Sequence, residues 1–326
     1  MSTHRFAVVT AVAVALAGPT LAAEYPAKPV TLVVPYGPGG ASDLAGRALA
    51  EVARGYLGQP VTVQNQPGAG GMNGARAVSD GTPDGYTLLL ARVGMALAPA
   101  VTPDSAVPYD AYPFLGPLKA TPMILAVKAD SAFKSVDDLL ADIKANPGRL
   151  SYAASGATAI DGITVQAMLL DAGLDPLTAA TLVPYKGGGE LATSLLGGHV
   201  QFLAIAAGSL MPHIESGDMR ALGVFAPERM EALPDVPTMA ELGFAQAGQV
   251  TGWSALYGPK DLPQEVTAKW ADVLAKVGED KTWLDQAENR GSISTIGKVD
   301  ISQYATEQYQ LFKGMAEKFG YLPVSQ

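Results

Sequence analysis

The chain contains no cysteine, which excludes disulfide bonds, thiolate zinc sites and a lipid-anchored cysteine at the N-terminus. It contains only three histidines among 326 residues, so a catalytic base has few candidates. Charged residues make up 16% of the chain and hydrophobic residues 48%, a balance typical of a compact folded protein rather than a disordered one. The length allows two domains with separate cores.

An excess of basic residues is also lacking. Without residues 1–23, 21 Lys and Arg face 31 Asp and Glu, a formal charge of −10. This balance excludes nucleic acid as a partner, because no basic surface is available to displace its counterions. It does not exclude a small anionic ligand, since charges more than about 8 Å away are screened at physiological salt.

The only long hydrophobic run is at the N-terminus. His4 and Arg5 form a short basic start, residues 6–17 are apolar, and Ala22 or Ala23 offers a small-residue cleavage site. The run is shorter than the roughly 20 residues that span a bilayer. Residues 1–23 are therefore predicted to be a secretory signal peptide, and the mature chain is predicted to be exported to the periplasm.

Apolar runs of strand length alternate with amphipathic segments, which predicts an α/β fold built from βαβ units. Predicted strands are 30–34, 61–64, 86–91, 122–127, 150–153, 181–185, 200–206, 219–225 and 253–257. Predicted helices are 42–57, 73–80, 135–145, 162–172, 188–196, 209–215, 264–278, 280–289 and 301–318. Three C-terminal helices with almost no strand between them favour a chain that leaves one lobe, builds a second and returns. The expected first lobe comprises 24–123 and 248–326, and the expected second lobe is 124–247.

A glycine-rich turn follows the first predicted strand. It reads Pro35-Tyr-Gly-Pro-Gly-Gly-Ala-Ser-Asp43, and Ser42 or Asp43 is expected to cap the following helix. Glycines leave backbone N–H groups uncovered, and a helix N-terminus favours negative charge, so this turn can form an anion site without a cationic side chain. The alternative is a tight turn whose glycines serve packing only. The turn matches neither the dinucleotide fingerprint nor the P-loop.

Three further loops follow predicted strands. Residues 66–74 are a second glycine-rich turn, expected at the same sheet edge as the first because both come at carboxyl ends of strands. Residues 155–158 and 185–190 would be their counterparts in the second lobe, although Lys186 can equally be a solvated surface lysine. Ser155 lacks the Gly-x-Ser-x-Gly context of a hydrolase nucleophile.

Five motifs, taken in order, resemble those of the extracytoplasmic solute-binding proteins of tripartite tricarboxylate transporters, often called the Bug family. The resemblance covers nearly the whole mature chain. The motifs are Val34-Pro-Tyr-Gly-Pro-Gly-Gly-Ala-Ser-Asp-Leu-Ala-Gly-Arg47, Gly58-Gln-Pro-Val-Thr-Val-Gln-Asn-Gln-Pro-Gly-Ala-Gly-Gly71, Pro83-Asp-Gly-Tyr-Thr-Leu-Leu89, Val183-Pro-Tyr-Lys-Gly-Gly-Gly189 and Leu233-Pro-Asp-Val-Pro-Thr-Met-Ala-Glu241.

The resemblance implies a Venus flytrap of two lobes, each a mostly parallel sheet flanked by helices, that closes on a small mono- or dicarboxylate and delivers it to membrane permease subunits. It implies no catalysis, cofactor or metal, and a monomer is expected. Expected ligand-binding residues in the first lobe are Tyr36, Gly37, Gly39, Gly40, Ala41 and Ser42. Those in the second lobe are Ser155, Thr158, Ala159, Asp161, Lys186 and Gly187.

The second-lobe loop departs from the family pattern, because residues 155–162 read Ser-Gly-Ala-Thr-Ala-Ile-Asp-Gly, without the histidine common there. The proximal carboxylate site is therefore expected to be retained, whereas the contact that sets ligand identity is not specified by the resemblance. Two other functions stay open at this point. They are a ligand sensor that docks on a membrane receptor kinase and an exported hydrolase using Ser155.

Overall fold

The computed structural model describes residues 24–38, 41–68, 71–104 and 108–322. The predicted signal peptide, Gly39 and Gly40 lie outside the described residues. The strands are β1 Val30–Val34, β2 Val61–Asn65, β3 Thr87–Arg92, β4 Phe114–Thr121, β5 Met123–Lys128, β6 Ser151–Ala154, β7 Thr181–Pro184, β8 Phe202–Ala206, β9 Met219–Phe225, β10 Gly252–Tyr257 and β11 Ile293–Ser294. The helices are α1 Ala41–Leu57, α2 Met72–Ser79, α3 Gly94–Val101, α4 Val136–Ala145, α5 Ile160–Asp171, α6 Gly188–Leu196, α7 Met211–Glu215, α8 Gln264–Glu279, α9 Lys281–Glu288 and α10 Ile301–Lys318.

Short polar signals set several helix starts. Ser135 caps α4, and its hydroxyl accepts from the backbone N–H of Asp138 while the Asp138 carboxylate accepts from the Ser135 N–H. Asp280 and Asp300 cap α9 and α10 by accepting backbone N–H groups of the first turn. Each of these side chains satisfies donors that the helix itself leaves unpaired.

Two sheets form the centres of two lobes. The first lobe contains a six-stranded sheet in the order β11-β4-β10-β3-β1-β2, and the second contains a five-stranded sheet in the order β7-β6-β8-β5-β9. The expected two-lobed α/β architecture is thus confirmed. The sheets are mixed rather than mostly parallel, because β10 and β11 pair antiparallel in the first, and β5 pairs antiparallel with β8 and β9 in the second.

Both faces of the first sheet are covered. Leu88 and Leu90 of β3 pack in a cluster with α1 and α8, whereas Leu89 and Ala91 belong to a cluster with α2, α3 and α10. A strand buried on both faces has a continuous apolar sequence rather than an alternating one. No helix among the described residues is long and apolar enough to cross a bilayer.

The chain passes from one sheet to the other at Pro122, which alone separates β4 from β5. Because β4 runs in the same direction as β1, β2 and β3, Thr121 lies at the edge of the first sheet where those strands end. Met123 pairs with Ala206, so β5 begins where β6, β7 and β8 end. The carboxyl edges of the two sets of parallel strands therefore meet at Pro122, and their loops face one cleft.

One large core joins the two lobes. Leu89 and Phe312 of the first lobe belong to the same cluster of buried residues as Leu125 and Phe225 of the second. The helix α10 contributes to this cluster along much of its length. Burying apolar surface of both lobes in one cluster ties them together on the α10 side of the cleft.

Candidate functional site

The first lobe presents the N-terminus of α1 at the carboxyl edge of its sheet. Ala41 is the first residue of α1, so Ser42 and Asp43 lie inside the first turn and neither is the cap that the sequence suggested. Ser42 is buried, and its hydroxyl has no hydrogen-bond partner in the described part of the chain. The start of α1 thus offers first-turn N–H groups together with a nearby hydroxyl.

The carboxylate in the first turn of α1, that of Asp43, is hydrogen-bonded to neighbouring side chains. The Asp43 carboxylate accepts from Nε of Arg47 at 2.9 Å and from Nδ2 of Asn65 at 3.0 Å. Asn65 also donates to the backbone oxygen of Tyr36 at 3.0 Å. The end of β2 therefore braces both the turn and the helix start, and Arg47 compensates the one negative charge in the first turn.

Tyr36 is packed rather than projecting freely. A Cβ atom placed on Gly71 would lie 3.1 Å from its ring, and one placed on Gly94 would lie 2.9 Å from its hydroxyl oxygen. The ring therefore occupies the space between the starts of α2 and α3. Burial raises the pKa of the Tyr36 hydroxyl, and the positive charge of Arg92 acts in the opposite direction. The residue after Tyr36, Gly37, is exposed at the tip of the turn.

Arg92, the last residue of β3, is a charged group at this edge that sequence reasoning missed. It is partly buried, and burial lowers its pKa. Its guanidinium has no hydrogen bond or ion pair within the ranges that the structure describes. Nη2 lies 3.1 Å from a Cβ atom placed on Gly252, the first residue of β10. A single cation directly after the apolar run Leu88–Ala91 was the available sequence signal.

In the second lobe, Asp161 shapes the loop that follows β6. Its Oδ2 accepts from the backbone N–H of Ser155 at 3.0 Å and from the Ser155 hydroxyl at 2.6 Å, and its Oδ1 accepts from the N–H of Gly162 at 2.9 Å. Burial raises the pKa of Asp161, while these hydrogen bonds oppose the shift. A Cβ on Gly162 would lie 2.2 Å from the carbonyl oxygen of Gly156, so only glycine fits where α5 meets the loop.

The two neighbouring loops lie at the same edge. Lys186 is exposed, and its backbone N–H donates to Oε2 of Glu190 at 3.1 Å. Gly187 precedes α6 with φ of 147°, and the Ser209 hydroxyl oxygen lies 2.3 Å from a Cβ atom placed on Gly188. The strands β6, β7 and β8 all end here, which brings the loops that follow them together.

The structure thus brings most of the expected residues to the two sides of one cleft. Tyr36, Gly37, Ala41 and Ser42 are on the first lobe, and Ser155, Thr158, Ala159, Asp161, Lys186 and Gly187 are on the second. Gly39 and Gly40 fall outside the described residues. Thr158 is exposed, and Ala159 immediately precedes α5. The Asp161 carboxylate, in contrast, is engaged within its own loop.

Two observations bear on chemistry at this cleft. The Ser155 hydroxyl donates to Asp161, and neither described histidine bonds to it, so the serine lacks the histidine base of a Ser-His-Asp triad. Across the described ranges, no group of three or more His, Cys, Asp or Glu side chains is placed to hold a metal ion. The arrangement can bind an anion through N–H groups, hydroxyls and a guanidinium.

Two mixed sheets joined at one edge, with strand-end loops facing a shared cleft, define the class of two-lobed binding proteins. The chain belongs to the family described as the tripartite tricarboxylate transporter family receptor, whose model matches residues 45–320. The family resemblance in the sequence motifs is thereby confirmed, and the protein is a solute-binding receptor of that family.

Relatives and solved structures agree with this assignment. The protein BugT of Bordetella pertussis is 31% identical over 327 residues, covering 98% of this chain and 99% of its own. The structure of the periplasmic binding protein BugD has a TM-score of 0.76 and 28% identity, covering 91% of this chain and 98% of its own. The structure of the MatC protein of Rhodopseudomonas palustris with bound malate has a TM-score of 0.79 and 25% identity, covering 90% of this chain and 100% of its own.

Proposed function

We propose that this protein is a periplasmic receptor that binds a small mono- or dicarboxylate in the interlobe cleft and delivers it to membrane permease subunits, without catalysing a reaction on it. The observation that carries the proposal is the start of α1 at the carboxyl edge of the first sheet. Bound malate in the structure of the MatC relative supports a carboxylate ligand. Residues 1–23, as a signal peptide, would direct the chain to the periplasm.

The first-turn amides of α1, with the Ser42 hydroxyl, would hold one carboxylate. Hydrogen bonds to a charged group contribute roughly 1.5–3 kcal/mol each, and the helix N-terminus adds about 0.3–1 kcal/mol. Binding costs at least about 4 kcal/mol of lost freedom, so three such bonds alone are marginal. Burial of the ligand between the lobes, with the exposed loop at Ser155 and Thr158 closing over it, would supply the remainder.

The second-lobe loop fits a closing wall. Asp161 fixes the loop backbone, and the Ser155 and Thr158 side chains on that loop are exposed, so their hydroxyls would be available to a ligand. A closed, loaded form then differs in shape from the open form, and a permease can distinguish the two. A monomer suffices for this cycle.

A proline at the first helical position tests capture by the backbone directly. Ala41→Pro removes one N–H group, while proline is well tolerated as the first residue of a helix. We expect calorimetric affinity for a bound carboxylate to fall by about 10-fold or more, since one charged hydrogen bond is lost. The matched control Ala41→Ser keeps the N–H group and should bind like the parent protein.

The ligand class is tested with a panel of carboxylates, their methyl esters, sugars and cations in thermal-shift and calorimetric assays. A shift with carboxylates that is absent with the esters supports the proposal. Shifts with sugars or cations and none with any carboxylate would refute it. Delivery to a permease predicts that deleting the gene abolishes uptake of the bound acid, whereas a sensor would change gene expression and leave uptake by existing permeases intact.

A further inference from the structure

Among the described residues, the guanidinium of Arg92 has no partner of opposite charge. Arginine stays protonated in proteins, so this group carries a full positive charge even where burial lowers its pKa. A partly buried charge without a counter-ion is unfavourable unless a ligand supplies one. No hydrogen bond, ion pair or aromatic ring holds this side chain among the residues that the structure describes.

Within the described ranges no carboxylate is paired with Arg92, and the ionisable group that interacts with its charge is the Tyr36 hydroxyl. Its partner across the sheet is Ser254 of β10, and the next residue in the row is Lys119 of β4, another cation. The Lys119 ammonium lies 4.1 Å from the centre of the Trp283 ring, and the whole Lys119 residue is only 4% exposed. The edge of the first sheet is therefore positive, although the chain as a whole is acidic.

The position of Arg92 is distinct from the start of α1. In the sheet, β3 lies between β1, which leads into α1, and β10. Nη2 of the guanidinium lies beside Gly252 at the start of β10, and the Tyr36 hydroxyl, on the turn after β1, is close enough to interact with its charge. The Arg92 guanidinium beside β10 and the start of α1 after β1 are therefore two separate positive positions at the same edge of the sheet.

Gly252 makes room for this placement. A methyl group there would lie 3.1 Å from Nη2 of Arg92 and 3.0 Å from the backbone oxygen of Thr121. Both Thr121 and Gly252 flank the connections between the lobes. A ligand group that reaches the guanidinium would therefore touch the hinge end of the cleft.

We propose that Arg92 is a specificity-determining residue that binds a second carboxylate of the ligand, so that the cleft selects dicarboxylates over monocarboxylates. The inference rests on the proposed function, because the first carboxylate is the one placed at the start of α1. A guanidinium binds a carboxylate through two parallel hydrogen bonds, which fixes the orientation of the ligand as well as its charge.

The experiment compares diacids with their half-amides, which keep the length and shape but carry one charge fewer. Succinate, glutarate and adipate are each titrated by calorimetry beside succinamate, glutaramate and adipamate. We expect the parent protein to prefer its best diacid over the matching half-amide by about 10- to 100-fold. Arg92→Gln should abolish that preference by weakening the diacid while leaving the half-amide nearly unchanged.

Two further variants complete the design. Arg92→Lys keeps the charge but loses the paired hydrogen bonds, and should retain only part of the preference. Arg54→Gln makes the same charge change on the exposed last turn of α1, and should bind like the parent protein. Because the described residues give Arg92 no hydrogen bond or ion pair to lose, the unliganded Arg92→Gln protein should melt at the same temperature as the parent or higher.

The outcomes separate the two proposals. The role of Arg92 is refuted if the parent protein binds monocarboxylates as tightly as diacids, or if Arg92→Gln lowers the affinities for diacid and half-amide equally. The proposed carboxylate receptor would stand in either case. If no carboxylate binds the parent protein, the proposed function fails first. Should Arg92→Gln not fold, an unchanged diacid preference in Arg92→Lys would refute the inference.

Discussion

Asp161 and Ser155 are joined by two hydrogen bonds, because one carboxylate oxygen accepts both the backbone N–H and the hydroxyl of the serine. The other oxygen accepts from Gly162 at the start of α5. We expect Asp161→Ala to lower the free energy of unfolding by about 1–3 kcal/mol, since three donors lose their acceptor. Asp161→Asn should cost less, as its amide oxygen still accepts. Urea titration measures both.

The exposed Asp235 provides the control for this change. Asp235→Ala removes a carboxylate that makes no hydrogen bond to a described residue, so the unfolding free energy of the variant should stay within about 0.5 kcal/mol of the parent. Equal stability losses at Asp161 and Asp235 would show that the network around Ser155 does not hold the loop.

Gly71 and Gly314 should respond to alanine in opposite directions. Gly71 has φ of 102°, where a side chain is strained, and a methyl group would press on the Tyr36 ring. We expect Gly71→Ala to destabilise the protein by about 1–2 kcal/mol. Gly314 lies inside α10 with open space around its Cβ position, so Gly314→Ala should stabilise by about 0.5–1 kcal/mol. Thermal melting of both variants would decide, and a stabilising Gly71→Ala would contradict the packing of Tyr36.

Lys119 should make stability depend on alkaline pH. Burial lowers its pKa from 10.5 to about 8, and repulsion from Arg290 acts in the same direction. Between these two values the unfolded chain binds more protons than the folded protein, so this group makes stability rise with pH from about 8 to 10.5. Tyr152 acts oppositely at higher pH, because burial raises its pKa to about 12.

The variant Lys119→Met isolates that contribution. It should remove the rise in stability between pH 8 and 10.5 and leave the effect of the tyrosines unchanged. At pH 7 we expect it to be more stable by about 1–2 kcal/mol, since relief of charge burial exceeds the lost contact with Trp283. Unfolding curves at several pH values test this, and a difference between variant and parent that does not change with pH would contradict it.

Tyr321 links the end of α10 to the second-lobe loop. Its hydroxyl donates to Oε1 of Gln166 at 3.1 Å, and Nε2 of Gln166 donates to the carbonyl oxygen of Ala157 at 3.1 Å. Tyr321→Phe should cost about 1 kcal/mol and speed amide hydrogen exchange at Ala159. Exchange at Leu203, in the middle of the second sheet, should keep its protection, and a uniform increase at both sites would contradict a local role.

The predicted strands and helices correspond to most of those observed, because long apolar or amphipathic segments dominate the chain. The short strand β11 was missed, and the other two missed elements, β4 and α3, contain helix- and strand-breaking residues. β4 includes Gly116 and Pro117, and the ladder tolerates them through a register shift opposite Ser254. α3 begins at Gly94 and contains Pro99, a composition that reads as a loop in the sequence alone.

The site was only partly readable from sequence. The glycine turn before α1 indicated an anion site because its spacing and composition are local. Arg92 was missed because its surroundings depend on strand order. The neighbour of β3 on this side is β10, and β10 contributes no carboxylate beside Arg92. Asp161 was expected to contact the ligand, and its carboxylate instead accepts hydrogen bonds from Ser155, six residues earlier in the chain. The sequence allows this contact but does not require it. The relative direction of β5 and β10 likewise depends on long-range pairing.

The central position of β10 has a consequence for how the chain assembles. This strand fills the gap between β3 and β4, yet it begins only at Gly252, long after both neighbours have emerged. All five strands of the second sheet lie within residues 123–225, so that sheet can be completed while two edges of the first stay open to any other strand. A chain that stops before Gly252 would therefore be expected to aggregate, and a holding chaperone would protect the protein best during that interval.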